Sequence, residues 1–290
     1  MFILHDPQCA DYGSSMRPEQ PARITRSAAH LRAAHSDWIW RVPPVSVRDE
    51  MLLLAHTPAH LRRLAQPRDF DDDTPYFPGI GEHARRAVGA ALAAADLALS
   101  GERAFALMRP PGHHATASQA MGFCYLNQIA IAALSARARG VVRVAIWDFD
   151  AHHGNGTEAI LHRHDGVLFT SVHQSPGYPG TGTTSFDNCR NWPIAPHTTR
   201  ARHMAALRES LDAVVAFSPG LVLVSAGFDA YARDPITAMT LETADFSTLG
   251  RWLRESGLPA AAQLEGGYSD DLPLLIDAFL TAWEGSPQAA

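Results

Sequence analysis

The segment Asp148-Phe149-Asp150-Ala151-His152-His153-Gly154 sets a carboxylate and an imidazole two residues apart behind an apolar run, where alternate side chains of an extended chain share one face. Asp150 and His152 are thus spaced to grip one cation. A second run, Val224-Ser225-Ala226-Gly227-Phe228-Asp229, ends on another carboxylate among small and apolar residues, so Asp229 is the natural third ligand. Three ligands of mixed oxygen and nitrogen type leave a fourth position for water, the layout of a catalytic rather than a structural zinc. Zinc in such a place lowers the pKa of water to about 7 and polarises a carbonyl. Solvated loop residues are the competing reading for each side chain alone; it weakens for the set.

His113 and His114 stand in Arg109-Pro110-Pro111-Gly112-His113-His114-Ala115, again after an apolar run, with Pro and Gly restricting the loop path. Neutral imidazoles beside an activated water are the usual general bases, although adjacent histidines also form weak metal-binding surface patches. In Glu265-Gly266-Gly267-Tyr268 the glycines permit a turn that aims Tyr268 inward, where its hydroxyl would donate to a developing oxyanion. A half-buried loop tyrosine is its alternative.

The elements that must carry these residues alternate between short β-type runs and longer Ala- and Leu-rich helical stretches, the pattern of an α/β fold with a mostly parallel sheet and helices on both faces. Expected strands are Ala104 to Met108, Val142 to Asp148, Val167 to Val172, Leu221 to Ser225 and Ala260 to Leu264. Expected helices are Pro21 to Ala34, Gly81 to Leu99, Leu126 to Arg139, Ala201 to Phe217, Leu241 to Glu255 and Asp271 to Trp283. The polar and glycine-rich signals fall just after the strands, where ligands bind in open α/β sheets. No repeat or linker divides the 290 residues, so one catalytic domain over 1–290 is expected.

A net charge of -6 offers no footprint for nucleic acid, and 46% apolar residues with 19% charged is globular composition. Cys9, Cys124 and Cys189 are too few and too dispersed for a disulfide framework or a cysteine-rich zinc ribbon, which fits a reducing compartment. No secretory leader or membrane span is read, so a cytoplasmic protein without membrane contact is expected. All 24 basic residues are arginine, to which no function is attached.

These motifs resemble those of the histone deacetylase and acetylpolyamine amidohydrolase superfamily, closer to its class II and bacterial members. The resemblance covers nearly the whole chain and rests on six motifs in order: Arg109 to Ala115, Gly122 to Asn127, Asp148 to Thr157, Pro176 to Gly182, Gly227 to Ala230 and Glu265 to Tyr268. It implies an arginase/deacetylase-type, three-layer α/β/α fold. It also implies one Zn2+ on Asp150, His152 and Asp229, with His113 and His114 flanking the attacking water and Tyr268 polarising the scissile carbonyl. Asp148 would orient His113, and Asn155 would face His114. Class I relatives carry Asp at the latter position, so the two histidines here should differ in basicity, with acid and base roles left open.

The resemblance further implies a narrow apolar tunnel walled by Phe123 and Tyr178, with the Gly122 carbonyl accepting the substrate amide N–H. A structural K+ would lie near Asp148 and Ser171, with the backbone of Asp150, His152 and Val172. Asp73 resembles a rim aspartate that holds a peptide backbone, in competition with Asp71 and Asp72. The family pattern His-Pro-Glu-Arg-Pro-x-Arg reads Arg17-Pro18-Glu19-Gln20-Pro21-Ala22-Arg23, which leaves open whether Arg23 guards an internal channel. Ile236-Thr237-Ala238 stands where Leu-Gly-Gly is usual, and a vertebrate polyamine-selective relative has Glu in place of Ile236.

The expected substrate is an acyl-lysine in a protein or peptide, with an acetylated polyamine or small-molecule amide as alternatives; the acidic run Asp69 to Asp73 would attract either cationic kind. An arginase-type ureohydrolase would need further carboxylates where Gly154 and Tyr231 stand. A catalytically silent ligand-binding relative would need none of the intact catalytic set.

Overall fold

A computed structural model describes residues 1–43 and 47–285. Its strands are β1 (Phe2–Leu4), β2 (Ile39–Arg41), β3 (Ala104–Ala106), β4 (Val144–Asp148), β5 (Val167–Gln174), β6 (Cys189–Ile194), β7 (Leu221–Ala226) and β8 (Ala260–Leu264). They form one eight-stranded sheet in the order β2-β1-β3-β8-β7-β4-β5-β6. Every pairing is parallel, so the sheet is wholly rather than mostly parallel. Each residue of β1, β3, β4, β7 and β8 is buried, which requires cover on both faces and explains the continuous apolar runs. Exposed positions occur only on the edge strands: β2 is exposed at both ends, and β6 mixes buried with exposed positions.

The cover comes from α1 (Ala22–Ala34), α2 (Asp49–Leu52), α3 (Pro58–Leu64), α4 (Ile80–Leu99), α5 (Gln128–Ala138), α6 (Asn155–Leu161), α7 (Arg200–Phe217), α8 (Thr243–Glu255) and α9 (Leu272–Glu284). Alanines dominate the buried side of α4, which lets it pack close to α5 and to β1, β3 and β8. Aromatic side chains fill the space under α7, α8 and α9: Trp147 donates its indole N–H to Ser210 of α7 at 3.0 Å, and Phe149 packs on Phe279 of α9 at 5.4 Å between ring centroids.

Several boundaries shift from the sequence expectation for local reasons. Val142 is 75% exposed and precedes β4. α5 starts at Gln128 because the Asn127 side chain caps it, accepting from Ala130 N at 2.9 Å. α8 starts at Thr243, after a capping box between Glu242 and Asp245; Leu241 instead bridges to Tyr231. Among the described residues no helix is long and apolar enough to cross a membrane.

Candidate active site

Because all strands run the same way, the residues after β3, β4, β7 and β8 emerge on one rim. In the sheet these four are neighbours, in the order β3-β8-β7-β4, although 37 residues lie between β3 and β4 along the chain and 72 between β4 and β7. The loop after β3 brings His113 and His114, the end of β4 brings Asp148, the segment after it Asp150 and His152 and the start of α6 Asn155, the loop after β7 brings Asp229, and the one after β8 Tyr268.

Asp150, His152 and Asp229 each present one ligand atom, all within 4.8 Å of one another. His152 Nδ1 lies 2.8 Å from Asp229 Oδ2 and 3.2 Å from Asp150 Oδ1. Ligand atoms around a tetrahedral zinc stand about 3.3 Å apart, so this donor set fits the ion in kind and in spacing. Backbone amides hold the carboxylates from behind: Gly266 N and His152 N donate to Asp150, at 2.7 and 2.8 Å, and Ala151 N donates to Asp229 at 2.8 Å. A Cβ on Gly266 would lie 2.3 Å from Asp229 Oδ2, so only glycine lets the backbone approach both acids. Asp150 and Asp229 are fully buried. Burial works against charge on Asp150, but His113 and His152 outweigh it and hold its pKa below the usual range; burial and the Asp150 charge push Asp229 up. Two buried carboxylates this close call for a cation between them.

His113 and His114 lie with ring centroids 4.1 Å apart and planes inclined by 45°, yet their partners differ in charge. His113 Nδ1–H donates to Asp148 Oδ2 at 3.1 Å, and His114 Nδ1–H donates to Asn155 Oδ1 at 2.8 Å. Burial disfavours the His113 cation, but Asp150 and Asp148 reverse this and lift it to about 10. Burial lowers His114, helped by the charges of His113 and His152. Burial raises Asp148 to about 7 against the pull of His113. The two imidazoles thus differ in basicity as their partners require.

A cavity of about 250 Å³ opens above these groups, lined by Arg17, Pro18, Asp73, His114, Gly122, Phe123, His152, Tyr178, Ile236 and Tyr268. Phe123, Tyr178, Gly122 and Asp73 therefore all stand at its lining. Gly122 has φ +56°, and a Cβ there would sit 2.6 Å from the His114 ring and 2.9 Å from Tyr178. Its carbonyl accepts from Cys124 Sγ at 3.3 Å. Phe123 takes φ +67°, unusual for a side chain of this size, and its N–H donates to Thr74 Oγ1 at 3.1 Å. The Tyr268 ring meets Phe123 edge-on at 5.7 Å, and its N–H donates to Asp234 Oδ2 at 2.8 Å. Burial raises its phenol well above the ordinary value, so it is a neutral donor.

Asp148 and Ser171 are fully buried register partners on β4 and β5. The Ser171 hydroxyl lies 2.9 Å from His173 Nδ1, and Asp148 Oδ1 accepts from Asp150 N at 3.1 Å. Arg23 holds the turn before Tyr268, with Nε 2.7 Å from the Gly267 carbonyl and the guanidinium 4.7 Å over the Tyr268 ring.

Two positioning residues escaped the sequence reading. Glu265 Oε2 accepts from Gly112 N at 2.7 Å and His113 N at 3.2 Å, tying the loop after β3 to that after β8. Glu19 binds the fully buried Arg109 through both carboxylate oxygens, and Arg109 also donates to the Cys9 and Tyr12 carbonyls, at 3.0 and 3.2 Å. Both acids lie inside recognised motifs, but an acidic residue in a motif carries no sign of whether it meets substrate or backbone.

A carboxylate–imidazole triad, a histidine pair and a phenol around one narrow cavity on the rim of a parallel sheet define an amide-hydrolysing α/β enzyme. The chain belongs to the Histone deacetylase domain family, which matches residues 17–281. It is 42% identical over 250 residues to the histone deacetylase-like amidohydrolase of Pseudomonas aeruginosa, covering 79% of this chain and 65% of that one. It is 36% identical over 212 residues to the acetylpolyamine amidohydrolase of Mycoplana ramosa, covering 68% of this chain and 61% of that one. Among solved structures, the HDA15 HD domain superposes with a TM-score of 0.91 at 30% identity, covering 99% of this chain and 91% of its own.

Proposed function

We propose that this enzyme removes an acyl group, acetyl in the simplest case, from the terminal amine nitrogen of lysine in a protein or peptide, with zinc held by Asp150, His152 and Asp229. The observation that carries the reading is the convergence of these three ligand atoms, with His113 3.8 Å from Asp150, beneath a cavity lined by His114, His152 and Tyr268. When bound, zinc supplies Lewis acidity to the amide carbonyl and the attacking water. Asn155 takes the Nδ1–H of His114, which leaves the Nε2 lone pair free to accept the water proton. Asp148 favours the charged form of His113, placing positive charge beside the developing oxyanion. Tyr268, neutral, donates its hydroxyl to the same oxygen. As the new C–O bond forms and the C–N bond breaks, His114 returns its proton to the leaving amine, and a carboxylic acid departs with it. A structural K+ would share Asp148 with His113 and take Ser171, consistent with their burial as register partners.

A cavity of about 250 Å³ is smaller than the roughly 300–1,000 Å³ of sites for drug-sized ligands, which suits a linear alkylamine stem. A second reading, an acetylated polyamine, draws support from the Mycoplana ramosa relative and from the acids of Asp69 to Asp73. Ile236 at the cavity, with no carboxylate in its place, favours lysine over a polyamine.

The deciding measurement is kcat/KM for an acetyl-lysine peptide against acetylputrescine, on metal-analysed protein with a chelator control. A peptide preference of about tenfold or more, abolished by chelation, supports the lysine reading. A polyamine preference replaces it with the second, and turnover that survives complete zinc removal overturns the metal assignment.

A further inference from the structure

The cavity lining carries two opposite charges that the catalytic set does not use. Arg17 and Asp73 both face it, together with Pro18, Tyr178 and Ile236. Arg17 is half-buried, and its Nη1 donates to the Asp72 carbonyl at 3.1 Å, pinning the guanidinium against the acidic loop. Asp73 is held from its other side, its N–H donating to Asp71 Oδ1 at 3.1 Å. Among the described residues, Arg17 forms no ion pair and the Asp73 carboxylate accepts no hydrogen bond. The two do not neutralise each other, although they border the same opening.

A guanidinium offers five N–H donors in a fork that matches a carboxylate, and here one is engaged by a neutral carbonyl. A polycationic head would meet Arg17 as a like charge, and a peptide backbone can donate its N–H to Asp73 but brings no anion to Arg17. A head with a carboxylate and an ammonium on one carbon satisfies both. Resting on the amidohydrolase reading above, we propose that the cavity mouth recognises a free ω-N-acyl α-amino acid of the Nε-acyl-lysine class, with Arg17 taking the α-carboxylate and Asp73 the α-ammonium. The stem would pass Phe123 and Tyr178, and hydrolysis would release the free amino acid and a carboxylic acid.

The test compares kcat/KM for free Nε-acetyl-lysine, its α-carboxamide, its Nα-acetyl derivative and acetylputrescine, in the zinc-loaded wild type, Arg17→Ala and Arg17→Lys. A site built for a group rejects the analogue lacking it, so the acid should exceed its carboxamide by about tenfold or more. Arg17→Ala should bring that ratio close to one, and Arg17→Lys should keep part of it. The ratio is the readout because a variant that merely folds poorly loses activity on both substrates alike. Equal use of acid and carboxamide by the wild type, a ratio unmoved by Arg17→Ala, or a preference for acetylputrescine would each overturn the proposal while leaving the amidohydrolase in place. Failure to hydrolyse any of the four while the acetyl-lysine peptide is turned over overturns this proposal alone, and failure on the peptide as well overturns the amidohydrolase reading with it.

Discussion

Single side chains at this site act through what stands behind them. Tyr268 donates to an oxygen that becomes charged only as the reaction proceeds, so Tyr268→Phe should cut kcat by about 100-fold or more with little change in KM. Steady-state kinetics on the peptide substrate checks this, and wild-type kcat would remove Tyr268 from the chemistry. Asp229→Ala should abolish stoichiometric zinc binding, read by elemental analysis after dialysis, because it removes one of the three ligands. Zinc retained at one per chain would refute the ligand assignment. Residue spacing was enough to nominate these groups. The proton inventory of the histidine pair needed more, since Asp148 and Asn155 lie 35 and 41 residues from their partners.

Loops and strands hold those side chains through buried polar contacts. The segment before α1 is anchored to the loop after β3 by Glu19 on Arg109, with Arg23 adding a second contact to Glu19 at 3.3 Å. Glu19→Ala would leave two buried guanidinium groups without their carboxylate, and such a break costs about 3–5 kcal/mol. Urea unfolding should show that loss; a change under about 1 kcal/mol would mean the anchor is replaced by water. The geometry also bears on the ureohydrolase alternative. A Cβ at Gly154 would come 2.2 Å from Asp148 Oδ2, and the Tyr231 hydroxyl turns away to Asp271 Oδ2 at 2.8 Å, so neither position supplies a second metal.

Across the molecule, stability should depend on pH through histidines buried away from the catalytic centre. Burial lowers His203, on the inner side of α7, to about 4, and His56 to about 3. Their folded pKa values lie below the unfolded value of about 6.5, so between these limits the unfolded chain binds more protons. Their contribution is complete above about pH 6.5 and is lost as pH falls toward 4. At pH 5 each histidine accounts for about 2 kcal/mol of that loss. Urea unfolding at pH 7.5 and pH 5 should show it, and His203→Leu should flatten the difference by about that amount relative to the parent. An identical pH dependence in the variant would sink the assignment.

The alternation of apolar runs with helical stretches was sufficient for the α/β class, and five of the eight strands were legible because burial on both faces leaves an uninterrupted apolar signature. β1 and β2 escaped because three residues carry no periodicity, and β6 because it is an edge strand interrupted by Asn191 and Pro193. Metal-ligand candidates were legible because Asp150 and His152 stand two residues apart behind an apolar run, although both lie in the bend after β4 rather than in the strand itself. Strand order was not: placing β8 and β7 between β3 and β4 is what carries Tyr268 and Asp229 to the histidine pair. Arg17 showed in the sequence only as a mismatch to a pattern, and its place at the cavity depends on contact with Asp72, 55 residues away. Local patterns report burial and backbone preference over a few residues, whereas contacts at such separations are set by how the whole sheet is ordered.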